Sequence, residues 1–156
     1  MSAQPKVRTC LWFDQSAEEA AQFYVELVPR SAIETTSRPE PGKPALVVAL
    51  SLAGAPFMFL NGGPRYKQSP AASIAVRTAD QAETDRLWVA LLAGGGEESM
   101  CGWLTDRFGV SWQVVPEALP RLIGASDREA AGRALRAMLK MRKIDIAALE
   151  AAFRGE

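Results

Sequence analysis

The sequence predicts an α+β fold in which a β-α-β-β-β unit is used twice to form a mixed sheet, followed by C-terminal helices. Three observations carry that prediction. Two amphipathic helices superpose at a constant offset, Ser16 on Asp80, Glu19 on Glu83, Phe23 on Leu87, Tyr24 on Trp88, Val25 on Val89 and Leu27 on Leu91. Two hairpins match beside them, Gly54 on Gly109, Phe57 on Trp112 and Phe59 on Val114. The third is the stretch Asp106 to Pro116, where Asp-Arg-Phe-Gly makes a tight turn and Val110 to Val115 follows as a strand of mostly β-branched and aromatic residues.

In chain order, Met1 to Pro5 reads as a frayed terminus and Val7 to Phe13 as an alternating strand. Ser16 is placed to cap a helix, with Glu19 completing a capping box and Ala20, Phe23, Tyr24 and Leu27 as its apolar stripe. Pro29 ends that helix. Ser31 to Thr36 is a weaker strand before a proline-rich loop, and Ala45 to Leu52 and Pro56 to Leu60 form a hairpin across Ala53-Gly54-Ala55. This first unit spans residues 6–61, and residues 62–70, with Gly62-Gly-Pro64, read as a linker. The second unit, residues 71–116, begins with a strand from Ser73 to Arg77. Asp80 then caps a helix running to Leu92, with Glu83 at the capping-box position. Residues 117–156 form a helical tail: a short turn from Glu117 to Ile123, a helix capped by Asp127 and another capped by Asp145. Together these parts make one domain over residues 1–156.

Composition narrows the function. The chain has 156 residues, and its 18 basic and 18 acidic side chains cancel, so nucleic acid and anionic membrane are not expected partners. No long apolar run or signal-peptide pattern occurs, which places the chain in the cytoplasm as an expectation. Cys10 and Cys101 lack metal-ligand spacing and read as small buried hydrophobes. Histidine is absent, which removes the commonest general base and the commonest transition-metal ligand. Gly94-Gly-Gly96 follows a helix and reads as a cap and turn, not a phosphate loop. Neither a Walker motif nor a Gly-x-Ser-x-Gly elbow is present.

Strand alternation divides the sheet residues between two faces. Cys10, Trp12, Phe57, Phe59, Ile74, Val76, Trp112 and Val114 are expected under the helices. Thr9, Leu11, Phe13, Met58, Leu60, Ser73, Ala75, Arg77, Ser111 and Gln113 fall on the opposite face. An apolar surface with a few polar groups suits a small-molecule pocket, and these residues other than Ala75 are the candidate ligand-binding set.

Several longer words carry a family resemblance: Leu11-Trp-Phe-Asp14 with Ala17-Glu-Glu-Ala20 and Phe23-Tyr24, then Asp80-Gln81, Asp85-Arg-Leu-Trp88, Cys101-Gly-Trp-Leu-Thr-Asp106, Gly109-Val-Ser-Trp-Gln-Val-Val-Pro116 and Met141-Arg-Lys-Ile-Asp-Ile-Ala-Ala-Leu149. With the doubled unit, the chain resembles the vicinal oxygen chelate superfamily, the glyoxalase/bleomycin resistance/dioxygenase fold. Within it, the resemblance is to the branch labelled 3-demethylubiquinone-9 3-methyltransferase-like. It implies a curved mixed sheet and a concave pocket. The superfamily's metal ligands fall here on Thr9, Met58, Ser73 and Gln113, neutral groups that do not compensate a divalent cation, so neither metal nor other cofactor is expected. No strand, Gly-rich turn and helix stand ready for S-adenosylmethionine.

The reading that follows is a metal-free small-molecule-binding protein, functioning as a homodimer, with its ligand unnamed. An enzyme of the same superfamily and a structural or regulatory homodimer are the alternatives. No catalytic residue is assigned.

Overall fold

A parallel pair of strands joined through a helix, with an antiparallel hairpin completing the sheet, is the pattern in both halves of the chain. The computed structural model describes residues 4–156, so residues 1–3 of the expected frayed terminus lie outside the described residues. The chain divides into a unit ending at Gln68 and a unit running from Ser69 to Glu156. In the first, β1 (Thr9–Phe13), α1 (Ala17–Leu27), β2 (Ala32–Ser37), β3 (Val47–Leu52) and β4 (Ala55–Asn61) follow in order. The sheet order is β1-β4-β3-β2, with β1 parallel to β4 and the other pairs antiparallel. The parallel pair requires a long crossover, which α1 begins. In the second unit β5 (Ser73–Thr78), α2 (Gln81–Leu92), β6 (Glu97–Glu98), β7 (Trp103–Thr105) and β8 (Ser111–Pro116) repeat the topology as β5-β8-β7-β6. Three helices follow: α3 (Ala118–Ile123), α4 (Arg128–Met138) and α5 (Ile146–Arg154). No helix among the described residues is long and apolar enough to cross a membrane.

The first core forms where α1 lies on its sheet. Tyr24 and Phe59 are fully buried, meeting edge-on with ring centroids 5.7 Å apart, and Phe13 packs 5.0 Å from Phe59. Val48 and Leu50 of β3 complete this surface. Such aromatic pairs add to the burial of their area by preferring edge and tilted contacts.

The helix caps differ between the units. Asp80 accepts from the Glu83 N–H at 2.8 Å, and the Glu83 carboxylate accepts from the Ala79 N–H at 2.7 Å, close to the expected capping box. At α1 the expected Ser16 cap is replaced: Ser16 makes no side-chain cap bond. The Asn61 carbonyl Oδ1, at the end of β4, accepts from the Ala17 N–H at 2.9 Å, while its Nδ2 donates to the Ala45 carbonyl. A cap supplied from the neighbouring strand leaves no local signature, which is why the sequence pointed to Ser16. Glu18, in the first turn of α1, binds Arg38 and the Ala45 N–H. The Arg38 bond, then the Ala45 bond, lowers its pKa below the ordinary carboxylate value. This tie between helix and proline-rich loop is therefore complete above that value and is lost as pH falls through the depressed one.

The faces of β1 are the reverse of the expected ones. Leu11 and Phe13 are the buried residues, Leu11 pairs in register with the buried Phe59, and Cys10 is exposed. Thr9, although exposed, shares the helix side with Leu11 and Phe13. The cause is the turn that follows. Asp14 and Gln15 separate Phe13 from Ser16, whereas Ala79 alone separates Thr78 from Asp80. Aligning the strands through the helices therefore shifts β1 by one residue, and one residue turns every side chain over. The other strands keep their expected faces: Phe59, Trp112 and Val114 are buried on the helix side.

In the second unit the tail is built into the fold. Gln81 donates to the Ile144 carbonyl at 3.1 Å and accepts from the Ile146 N–H at 2.8 Å. The Cys101 and Gly102 N–H groups donate to the Met141 and Arg142 carbonyls, each at 2.7 Å. Gly102 has φ +82, and a Cβ there would stand 2.9 Å from the Val114 carbonyl oxygen, so glycine is required. Leu119, Leu122, Ala134, Ile144 and Leu149 form a small core of their own. Asp127 and Asp145 cap α4 and α5 as expected, while Leu135 of α4 and Leu139 just after it are exposed. Cys101 is only half-buried, so neither cysteine is the buried hydrophobe expected.

The caps give a direct test. Asn61→Ala should lower unfolding stability by about 0.5–2 kcal/mol, the usual cost of a lost N-cap. Ser16→Ala should leave the urea midpoint within error, and equal losses in both variants would show that Ser16 shares the capping.

Candidate functional site

The uncovered face of the second sheet is built by alternation from four strands, of which the edge strand β6 supplies Glu97, the register partner of Thr105. β5 contributes Ser73, Ala75 and Arg77, and β8 contributes Ser111, Gln113 and Val115, because Ile74, Val76, Trp112 and Val114 occupy the helix side. β7 adds Trp103, which pairs with Gln113, and Thr105, which pairs with Ser111. The turn before β8 holds this register. The Asp106 carboxylate is buried and accepts from the Phe108 and Val110 N–H groups at 2.9 and 3.0 Å and from Trp112 Nε1 at 2.9 Å. With Trp112 fixed under the helix, Ser111 and Gln113 must face the other way.

Two polar features stand out on this face. Gln113 is half-buried and its Nε2 donates to Ser73 Oγ at 2.9 Å. Ser111 is 2% exposed, and among the described residues its Oγ is the one buried side-chain oxygen or nitrogen without a hydrogen-bond partner. Buried hydroxyls are ordinarily satisfied, and an unpaired one costs roughly 1–3 kcal/mol. Arg77 lies two residues beyond Ala75, the register partner of Gln113; it is exposed and has no ion pair among the described residues.

The uncovered face of the first sheet carries Cys10 and Trp12 from β1 and Met58 and Leu60 from β4. Met58 and Leu60 lie on the face expected of them. Leu11 and Phe13 are removed from the candidate set, because both are buried among α1-facing residues, and Thr9 lies on that side too. Arg8 joins the candidates: its guanidinium donates to the Leu50 and Phe57 carbonyls, each at 3.2 Å, and is ion-paired to Glu34. Glu34 is the extra residue at the β2 register shift, so the bulge delivers its carboxylate to Arg8. Desolvation raises the Cys10 thiol pKa even though the residue is exposed, which disfavours a thiolate at neutral pH.

Residues 62–68 form a strap on Trp12. Trp12 Nε1 donates to the Gly63 carbonyl at 2.8 Å, Tyr66 meets the indole edge-on at 5.0 Å, and Gln68 Nε2 donates to the Trp12 carbonyl at 2.6 Å. A Cβ at Gly62 would stand 2.3 Å from the indole ring, so only glycine passes there. Trp12, Cys10 and Trp103 were missed by the sequence reading, the first two through the β1 register. For Trp103 the alternation from Gln113 across a short antiparallel pair was the available signal.

The metal positions implied by the superfamily do not fit a divalent cation. Ser73 and Gln113 are neutral and already bonded to each other, Met58 offers a thioether, and Thr9 lies on the opposite side of its sheet from Met58. Among the described residues no group of three or more Cys, Asp and Glu side chains is arranged to hold a metal. Surface hollows also lie away from the sheet faces. One of about 400 Å³ is bounded by Asp14, Glu40, Lys43 and Asn61, and one of about 440 Å³ by Asp80, Gln81, Arg121 and Asp145.

Ser111 supplies a test of whether the face awaits a ligand. Ser111→Ala should leave thermal stability unchanged or raise it, since no bond is lost and an unpaired hydroxyl is removed. A loss of more than about 1 kcal/mol on urea unfolding would show that the hydroxyl is satisfied within the fold.

Comparison with known proteins agrees with this architecture. A family profile described as 3-demethylubiquinone-9 3-methyltransferase matches residues 5–115 and ends before α3. The chain is 32% identical to a solved structure from Bacillus cereus, a PhnB protein provisionally described as a 3-demethylubiquinone-9 3-methyltransferase. The match covers 72% of this chain and 99% of that one, with a TM-score of 0.64. A Pseudomonas aeruginosa protein is 26% identical over 73% of this chain and 98% of its own, with a TM-score of 0.60. The fosfomycin resistance protein FosX of Mesorhizobium loti shares the fold at 13% identity, covering 72% of this chain and 91% of its own, with a TM-score of 0.52. No curated protein sequence matches the chain. The doubled mixed sheet, the matched span and the 32% identical relative together establish that the chain belongs to the 3-demethylubiquinone-9 3-methyltransferase family, on the glyoxalase/bleomycin resistance fold.

Proposed function

We propose that this protein binds a small molecule on the uncovered face of its second sheet, without a metal, and that it works as a homodimer. The buried, unpaired Ser111 hydroxyl beside the Gln113–Ser73 pair is the observation that carries the reading. A hydroxyl held dry without a partner is a cost that a ligand hydrogen bond would remove. Trp103 gives the same face an apolar contact surface, while Val115 packs on the core of the tail, so the face combines a few fixed polar groups with an apolar lining, as small-molecule sites do. The donor set on both sheets is neutral where the superfamily's metal enzymes carry their ligands, which favours binding through hydrogen bonds over binding through a cation.

The methyltransferase description of the family does not bring a methyl-donor site with it. Each sheet is four-stranded with a single parallel pair, and neither β1–α1 nor β5–α2 passes through a glycine-rich turn. The homodimer rests on the exposed Leu135 of α4, Leu139 just after it and Val89 of α2, apolar side chains that a second copy would cover.

Gln113→Leu tests the site. Native mass spectrometry of the purified wild type should show a retained small molecule, and the variant should hold it about tenfold more weakly, ~1.4 kcal/mol, at unchanged thermal stability. Lost stability with unaltered ligand retention would make Gln113 a structural residue and overturn the reading. Light scattering on the same samples should give twice the 16.9 kDa chain mass at micromolar concentration, and a monomer would refute the dimer.

A further inference from the structure

We propose that the ligand of the second sheet is a small aromatic anion, its acidic group on Arg77 and a hydroxyl between Ser111 and Gln113; the inference rests on the pocket reading above. Charge is the first argument. The strand positions on this face are Ser73, Ala75, Arg77, Glu97, Trp103, Thr105, Ser111, Gln113 and Val115; Arg77 is the one cation among them, and the one acid, Glu97, lies on β6 at the opposite edge of the sheet. On the first sheet, by contrast, Arg8 has Glu34 as its counter-ion. An arginine without an ion pair among the described residues, with two strands between its own and that of the one acid on the face, offers the planar, permanently charged fork that suits a carboxylate.

Hydrogen-bond capacity is the second argument. Gln113 uses its Nε2 on Ser73 Oγ, and its Oε1 has no partner in the described structure, so it can accept. Ser111 Oγ is buried and unpartnered, so it can donate. One group that both donates and accepts satisfies the two at once, and a hydroxyl is the simplest such group. Two residues of extended strand, about 7 Å, separate Ala75 from Arg77, and the arginine side chain spans the rest. A single ring between hydroxyl and acid fits that separation, and Trp103, the register partner of Gln113, lies beside it as an aromatic surface.

The test uses the whole chain and three probes of one shape: 4-hydroxyphenylacetate, its neutral amide and phenylacetate. Each is titrated at up to millimolar concentration while the Gln113 side-chain amide is followed by NMR. 4-Hydroxyphenylacetate should shift that resonance, and both the amide and phenylacetate should bind about tenfold more weakly or less. Arg77→Ala should erase the preference for acid over amide, Arg77→Lys should restore part of it, and unchanged melting of both variants would show that the fold is intact. If the amide binds as well as the acid and Gln113 still shifts, the anion is wrong and the pocket survives. If the preference persists in Arg77→Ala, Arg77 is not the anion's partner and the inference falls. If no probe shifts Gln113, the ligand class falls, while retained native ligand sensitive to Gln113→Leu would keep the pocket.

Discussion

Everything proposed for the second sheet depends on one buried carboxylate. Asp106 gathers two backbone N–H groups of its own turn and the indole N–H of Trp112. A charged acceptor is costly to bury unless such donors surround it, and here they come from the residues that must be fixed. The turn bonds set where β8 begins, and the indole bond sets which way it faces. Trp112 then lies under α2 with Leu104 and Val114, and the odd-numbered residues Ser111, Gln113 and Val115 are left for the other side. A strand's chemistry is thus decided by a residue that never meets the site.

The same dependence explains what could be read from the sequence. The doubled unit, most strand and helix positions and the facing of β4, β5 and β8 were legible, because alternation and caps are local signals and the Asp106 turn is a strong one. Gln113 and Ser73 were assigned to one face from that register, and there they hydrogen-bond to each other. What failed was non-local or hung on one residue. The β1 faces turned over because the first strand–helix turn carries one residue more than the second. The α1 cap moved to Asn61, a residue close in space and distant in sequence. Arg8 precedes β1 and draws its meaning from carbonyls on β3 and β4 and a bulge residue on β2. Trp103 belongs to a three-residue strand, too short to show its alternation by itself.

The two sheets share a topology and have diverged in what their open faces offer. The first is apolar around Cys10, Met58 and Leu60; its cation is spent on Glu34, and Trp12 is strapped under residues 62–68. The second keeps an unspent cation, an unspent hydroxyl and a half-spent amide. Duplication explains the shared frame. The difference between one occupied face and one unsatisfied face is where a function specific to this chain would reside.

The clasp between Cys101–Gly102 and Met141–Arg142 has a consequence for biosynthesis. The turn ahead of β7 completes its hydrogen bonds only with residues about forty positions later, and Ile144 must be in place to be buried there. A chain emerging from the ribosome N-terminus first can complete the strand pairings of the first sheet, all made by residues before 69, while the second unit is still being made. The second unit must wait for α5. Nascent chains halted before Met141 would therefore expose an unfinished sheet to chaperones and proteases, so translation speed over the last third of the message bears on the yield of folded protein.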